Sequence, residues 1–388
     1  MLDGIRVVDL SSTVPGPYCT MLLADHGADV IKIERPPAGD SARQAGVVAH
    51  GEGSTFLMLN RNKRSLTLDL KHPGGREVFE RLVNTADVVF ETFRPGTMAR
   101  LGLDYPRLAG LNPRLVYASL SGFGQDGPYR DRPGHDINYL GLAGALDLIG
   151  EAGGPPVLPG IQIADIAAGL TAGMAIALAL FARERTGRGR YLDLAIFDTA
   201  LAFVTVQAGM HFLSGDVPTR GVSELAGGWP SYALYVTKDG RYLSVGAWEE
   251  KFWINLCQTV GRPDLVPHHR AVDATRDWVR AQLTATFRTR TLEEWMSVFA
   301  TADVCAGPVL NVEEALGDPH VRHRGLRFAI NHPAAGHLDQ LANPVRVGAS
   351  TPRHVSPPPA LGQDNREILR ELGYDEASID DLSEGGAL

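Results

Sequence analysis

A histidine stands beside an aspartate in PGHDINYLGLAG, residues 133–144, directly after a Pro-Gly break. An imidazole changes charge near neutral pH, so His135 is a candidate acid or base, although an isolated histidine is more often a structural residue. Asp136 is either its orienting carboxylate or the N-cap of the INYLGLAGALDLIG helix. Adjacent residues seldom point at each other, which makes capping the better reading. A second acid, Asp165, falls in the first turn of the nearly all-apolar stretch IADIAAGLTAGMAIALALFA. There it either complements the helix dipole, which favours the carboxylate, or is a buried acid, whose desolvation favours the protonated form. A proton-donor role requires burial to dominate. Cations form a third set: Arg35 in ERPPAGD, Arg61, Lys63 and Arg64 in LNRNKRSLTLDLK at 59–71, and Arg94 in ETFRPG. A solvated face is the plain alternative, yet cations arriving from separate strand ends suit a polyphosphate ligand.

The elements that would position these groups are visible as alternating patterns. IRVVDL at 5–10, ADVIKIE at 28–34, ADVVFE at 86–91 and RLVYASL at 114–120 are short β-branched runs bounded by turn or helix signals, as buried strands are. Helix candidates such as GPYCTMLLADHG and HPGGREVFERLVNT lie between them. Strand and helix in alternation predict an α/β domain, a parallel sheet with helices on its faces, over residues 1–200. Ligands of such sheets bind beyond the carboxyl ends of the strands, which makes SSTVPGPYC, ERPPAGDSAR, ETFRPGTMARLGL and SGFGQDGPYRDRPGHD the expected rim. None of these carries a GxGxxG or GxxxxGK[ST] phosphate loop. EAGGPPVLPG at 151–160 is a turn-rich connector leading into the apolar helix, and RYLDLAIFDTALAF is a strand entering a helix. YALYVTKDGRYLSVGA is a hairpin turning at Lys238-Asp239-Gly240, and it opens a smaller α+β domain expected over 225–320. The Pro- and Gly-rich tail, 321–388, is expected to return to the large domain and end in a helix near 365–373.

Composition narrows the class. The 388 residues carry 45 acidic against 37 basic side chains, a net charge of −8, which argues against a general nucleic-acid or anionic-membrane surface. Cys19, Cys257 and Cys305 are far apart and show no metal-type spacing, so no metal site is expected and a reducing compartment is the simplest reading. MLDGIRVVDLSS lacks the pattern of a secretory signal, and a cytoplasmic location is expected. The 163–182 stretch is about as long as a membrane span. Its Ala/Gly richness and Asp165 make it read as a buried helix of a soluble protein, so no membrane partner is expected.

VIKIERPPAGD, LNRNKRSLTLDLK, ETFRPGTMARLGLDY, NPRLVYASLSGFGQDGP and ERTGRGRYLDLAIFDTAL together resemble the family III CoA-transferases, the CaiB/BaiF family, which also includes the α-methylacyl-CoA racemases. The resemblance covers nearly the whole chain. PGHDINYL is similar to the racemase version, which implies that His135 is a catalytic acid/base. Asp165 falls where racemases keep their second acid/base, and also where transferases keep an aspartate nucleophile. SVGAWEEKF is similar to a racemase segment whose glutamate supports the histidine, which carries over to Glu249, and DVCAGPVL at 303–310 resembles the racemase small domain. ALDLIGEAGGPPVLPGIQ and Trp248 depart from that pattern and bear on the acyl group.

The resemblance further implies a Rossmann-like large domain and an interlocked homodimer, with the site between one subunit's large domain and its partner's small domain. It implies an acyl-CoA thioester substrate, with coenzyme A as part of the substrate and no permanently bound cofactor. Arg35, Leu59, Asn60, Arg61, Asn62 and Arg94, joined by Gly134, Asp136, Ile137, Asn138 and Tyr139, are the implied CoA-binding residues. Racemisation through an enolate is the implied chemistry, with CoA transfer between carboxylic acids through an Asp165 anhydride as the alternative. Gly227-Gly228 is the candidate for the glycine-rich loop that often covers the intermediate in such transferases. The enolate oxygen would need backbone N–H donors, expected at the start of the Asp165 helix.

Overall fold

A computed structural model describes residues 1–348 and 355–388. Six parallel strands form the main sheet: β1 (Arg6–Leu10), β2 (Asp29–Glu34), β3 (Lys63–Thr67), β4 (Val88–Glu91), β5 (Val116–Ser121) and β6 (Tyr191–Ala195). Their order is β3-β2-β1-β4-β5-β6. The chain therefore winds outward from β1 in one direction and from β4 in the other. The crevice beyond the carboxyl ends of β1 and β4 is where α/β sheets of this order bind ligands. The expected parallel α/β sheet is present, and it has one member not among the four strands expected in the first half: β3 lies inside LNRNKRSLTLDLK, the segment that offers Arg61, Lys63 and Arg64 as ligand cations.

The two faces of this sheet differ in chemistry. Side chains alternate along a strand, so Val8 and Leu10, Ile31 and Ile33, and Leu66 point one way. They pack with Val89 and Tyr117 against Val78, Phe79 and Leu82 of α2 (Pro73–Asn84), and against Ile368, Leu369 and Ile379 near the C-terminus. The helices bearing the last three are Asn365–Glu371, close to expectation, and Glu376–Glu384, which was not anticipated. Asp9, Lys32, Glu34, Lys63 and Ser65 point the other way and are also buried. That face is covered by α1 (Pro15–Asp25), whose Thr20 hydroxyl donates to Asp9 Oδ2 at 2.6 Å.

The apolar stretch forms one long helix, Ile163–Thr186, preceded by α3 (Asp136–Leu142) and termed α4. It is not buried all round as expected. Ala164, Ala168, Ala172, Ile176 and Ala179 are buried, the small side chains allowing close packing on α1. Leu170, Met174, Leu178 and Phe181, spaced along the opposite side, are exposed. With a mean hydropathy of 1.9, α4 is long and apolar enough to cross a membrane. One face is packed on α1 and the sheet, and the other is apolar as well.

The chain divides into two compact units: residues 1–143, 161–202 and 319–388, containing the six-stranded sheet, and residues 144–160 with 203–318. The second unit thus includes the 151–160 connector and begins earlier than 225. It holds an antiparallel sheet of Tyr232–Val236, Tyr242–Gly246 and Ala306–Pro308, in which the hairpin read from the sequence supplies one edge strand and the central strand. Trp253, Leu256, Val279, Leu283, Phe287 and Trp295 fill its core.

Candidate active site

Loops after β1, β4 and β5 enclose a cavity of about 470 Å³ at the switch point of the sheet. Ser12 and Thr13 follow β1, Thr92 to Pro95 follow β4, and Gly122 follows β5. The 130–135 loop closes one side. His135 and Asp165 both line this cavity, so two residues thirty positions apart meet in one place. The link between them is local. His135 takes the N-cap position of α3, its backbone N–H donating to Asn138 Oδ1 at 3.0 Å. The Tyr139 hydroxyl donates to the Gly134 carbonyl at 2.8 Å. A Cβ on Gly134 would lie 2.9 Å from the Tyr139 ring, so only glycine allows the turn to close this tightly.

Asp136 is not the cap of its own helix, as expected, but the first residue within it. Its carboxylate instead accepts from the Asp165 backbone N–H at 3.0 Å, in the first turn of α4. The physical reason is that a cap must lie outside the helix, and His135, in extended backbone, already occupies that place. That contact engages the Asp165 N–H, one of the backbone donors at the start of this helix. Burial pushes the Asp165 carboxyl up to about 6, the Asp136 charge beside it acts in the same direction, and positive charge on His135 would oppose both. Near neutrality Asp165 can therefore hold or release a proton, as an acid/base must.

The cations separate into two groups. Arg94 lies on the cavity, together with Arg130 and Arg132, which were not singled out from the sequence. The signal was present in PYRDRPG, two arginines in a proline-bounded loop reaching the expected rim. The cations of LNRNKR do not converge there. Arg61 is buried and bidentate to Asp25 at 2.7 and 2.9 Å, and also donates to Gln340. Lys63 is buried beside Asp9, with Nζ to Oδ2 at 3.1 Å. Arg64 is held by Asp29 and Glu371. Asn60 accepts from Lys63 at 2.8 Å, and Asn62 bridges Asp25 and the Ser356 N–H. These side chains brace the fold, and the half-buried Leu59 and the backbone are what the segment can offer a ligand. Arg35 is exposed and outside the cavity lining, and Ile137 is exposed on the first turn of α3.

Glu249 belongs to the smaller unit, where it is exposed and occupies the N-cap position of Glu250–Thr259. The preceding Trp248 stacks on Trp229 at 4.7 Å between ring centroids. Gly227-Gly228 lines a separate cavity of about 920 Å³ within that unit. Among the described residues, no group of His, Cys, Asp and Glu could hold a metal ion.

A histidine and a raised carboxyl at the switch point of a parallel sheet, with three arginines on the same cavity, form a site of the kind α/β enzymes use for anionic ligands. The chain belongs to CoA-transferase family III, whose sequence profile matches residues 2–365. Human α-methylacyl-CoA racemase is 37% identical, covering 98% of this chain and 96% of its own. Mouse succinyl-CoA:glutarate CoA-transferase is 33% identical, covering all of this chain and 90% of its own. The crystal structure of a CaiB/BaiF family protein from Brucella suis superposes with a TM-score of 0.83 at 34% identity, covering 96% of this chain and 99% of that one.

Proposed function

We propose that the protein is a racemase of 2-methylacyl-CoA thioesters, moving a proton on and off the α-carbon through an enolate. The observation that carries this reading is the convergence of His135 and Asp165 on one cavity. Neutral His135 removes the Cα proton, and the electron pair left behind moves into the thioester carbonyl. Protonated Asp165 then delivers a proton to the opposite face of Cα. The turnover leaves an imidazolium and a carboxylate, which exchange with water or serve the opposite stereoisomer directly. An Asp165 carboxyl near 6 suits this resetting, since it can take up or give back a proton near neutrality. Arg94, Arg130 and Arg132 meet the phosphates of coenzyme A, which enters and leaves with the substrate, so the enzyme carries no resident cofactor.

The working form is a homodimer in which the partner's small unit brings Glu249 to His135, the two chains being interlocked. The exposed row Leu170, Met174, Leu178 and Phe181 on α4 supports a protein partner for that face. The enzyme acts in the cytoplasm.

Several CoA-transferases among the relatives favour a second reading, in which the Asp165 carboxylate attacks the acyl carbonyl and expels CoA thiolate to form a mixed anhydride. The thiolate attacks the aspartyl carbonyl to give an aspartyl-CoA thioester and release the first carboxylate, and the acceptor carboxylate then takes CoA through a second anhydride that regenerates Asp165. Incubation with 2-methylbutanoyl-CoA in D₂O, with and without a free carboxylate, separates the two. Deuterium at Cα without acceptor is the result expected. CoA appearing on the acceptor, with no exchange in its absence, replaces the racemase by the transferase.

A further inference from the structure

Directly beneath the cavity lie four buried ionisable side chains that the proposed mechanism does not use. Asp9 and Lys63 are paired at 3.1 Å, and Lys32 and Asp40 at 2.8 Å. Each is at most 6% exposed. Replacing such a set by apolar residues is often neutral or favourable for stability, so its presence calls for a second reason. Hydrogen bonds of three of its members supply one, because Asp9, Lys32 and Asp40 each bond a single turn, while Lys63 donates to Asp9, the Pro17 carbonyl and Asn60 and acts on that turn only through Asp9. Lys32 Nζ donates to the Ser11 carbonyl at 2.8 Å, and Asp9 Oδ1 accepts from both the N–H and the hydroxyl of Ser11 at 2.9 and 2.5 Å. Asp40 Oδ1 accepts from the Thr13 N–H at 3.2 Å and from the Ala42 N–H at 2.9 Å. The turn so gripped is also strained: Thr13 has φ of 67°, a left-handed conformation that β-branched residues avoid. Ser12 and Thr13 both line the cavity that holds His135 and Asp165.

We propose that the buried Asp9, Lys32, Asp40 and Lys63 cluster is the positioning device for the Ser11–Thr13 turn, holding Thr13 in its left-handed conformation so that the turn forms the wall against which the acyl-CoA thioester packs. The inference rests on the acyl-CoA reading above for its ligand. The charges lie under the turn and never touch substrate, so all four are positioning residues. Strain at Thr13 persists because the turn is gripped at Ser11 by Lys32 and Asp9 and at Thr13 by Asp40. Without the Asp40 acceptor the residue relaxes to negative φ and the wall moves.

The test uses the full-length protein and 2-methylbutanoyl-CoA, with α-proton exchange for kcat and KM and calorimetry for the dissociation constant. Asp40→Ala should raise KM and the dissociation constant about tenfold or more, while kcat changes less than about threefold, since a shifted wall weakens binding without touching the acid/base pair. Asp40→Asn, which retains the Oδ1 acceptor, should fall between wild type and Asp40→Ala. The decisive variant adds Thr13→Gly to Asp40→Ala: glycine adopts positive φ without strain, so much of the affinity should return. A merely structural role for the cluster predicts no such rescue, and its absence overturns the inference, as does an unchanged KM in Asp40→Ala. Where Asp40→Ala does not fold, Lys32→Met with Asp40→Ala removes the charges together and is read with and without Thr13→Gly in the same way. Wild type that binds the ester but neither exchanges nor transfers overturns the catalytic reading alone, and the dissociation constants still decide the inference. Wild type that binds no ester overturns both.

Discussion

The two faces of the six-stranded sheet are equally buried and chemically opposed. On one, Val8, Leu10, Ile31, Ile33 and Leu66 meet the aliphatic and aromatic side chains of α2. On the other, one residue along in each strand, Asp9, Lys32 and Glu34 lie under α1. The contrast shows in the acids themselves. Burial would push Asp9 up, but Lys63, Lys32 and the hydroxyls of Ser11 and Thr20 outweigh it and hold the carboxyl at about 2. Glu91 lies on the opposite, apolar face at the end of β4, with neutral donors, the Ser119 hydroxyl and the Phe93 N–H. Burial there pushes its carboxyl up to about 7. The apolar face supplies the packing energy of the domain, and the charged face specifies the shape of the turn above it.

The largest predicted effect separates the faces by charge. Asp9→Leu leaves Lys63 buried without its carboxylate and should destabilise the protein by about 3–5 kcal/mol in denaturant unfolding. Adding Lys63→Met removes the orphaned charge and should recover much of that loss, because each ion of the pair is the other's compensation. A double variant no better than Asp9→Leu would mean that the pair is a spectator and that packing alone sets the stability of this face.

The same contrast explains what could be read from the sequence. The apolar face announced itself in IRVVDL, ADVIKIE and ADVVFE, because β-branched residues in short runs report strands whatever covers them. The charged face was misread. In KRSLT the alternation of polar and apolar residues has the signature of a strand, but lysine and arginine drew the reading toward solvent and phosphate. Sequence carries no sign that Lys63 meets Asp9, 54 positions earlier, or that Arg61 meets Asp25. His135 and Asp165 were legible as types and as family positions. Their connection through the Asp136 carboxylate was not, since the N-cap place on α3 had been given to Asp136 and in fact belongs to His135.

Next in size is the pH dependence of Glu91. An acid whose folded value is raised stabilises the fold below its ordinary value of 4.5 and loses that contribution as pH rises through about 7. Stability should therefore fall between these values by roughly 3 kcal/mol more in wild type than in Glu91→Gln, which cannot ionise. Asp9 should be silent in this window, because a depressed acid loses its contribution only as pH falls from its ordinary 3.8 toward 2. Parallel urea titrations at pH 4.5 and 7.5 check the pair. A slope unchanged in Glu91→Gln would show that the acid ionises within the fold without penalty.

The smallest effect tests the apolar face alone. Ile31 is fully buried and lies beside Lys32, with its side chain on the opposite side of the sheet. Ile31→Val deletes one methylene in a packed layer and should cost about 0.5–1.5 kcal/mol, the transfer term plus the part of the cavity that neighbours cannot close. It should leave the dissociation constant for the acyl-CoA ester unchanged within about a factor of two, because the atoms removed face α2 and not the Ser11–Thr13 turn. Lys32, one residue on, should behave in the reverse way when exchanged together with Asp40: affinity lost, stability altered less than by a lone charge deletion. A loss of affinity in Ile31→Val comparable to that of the paired variant would mean that β2 transmits strain across the sheet as one body, and that the division of labour between its faces does not hold.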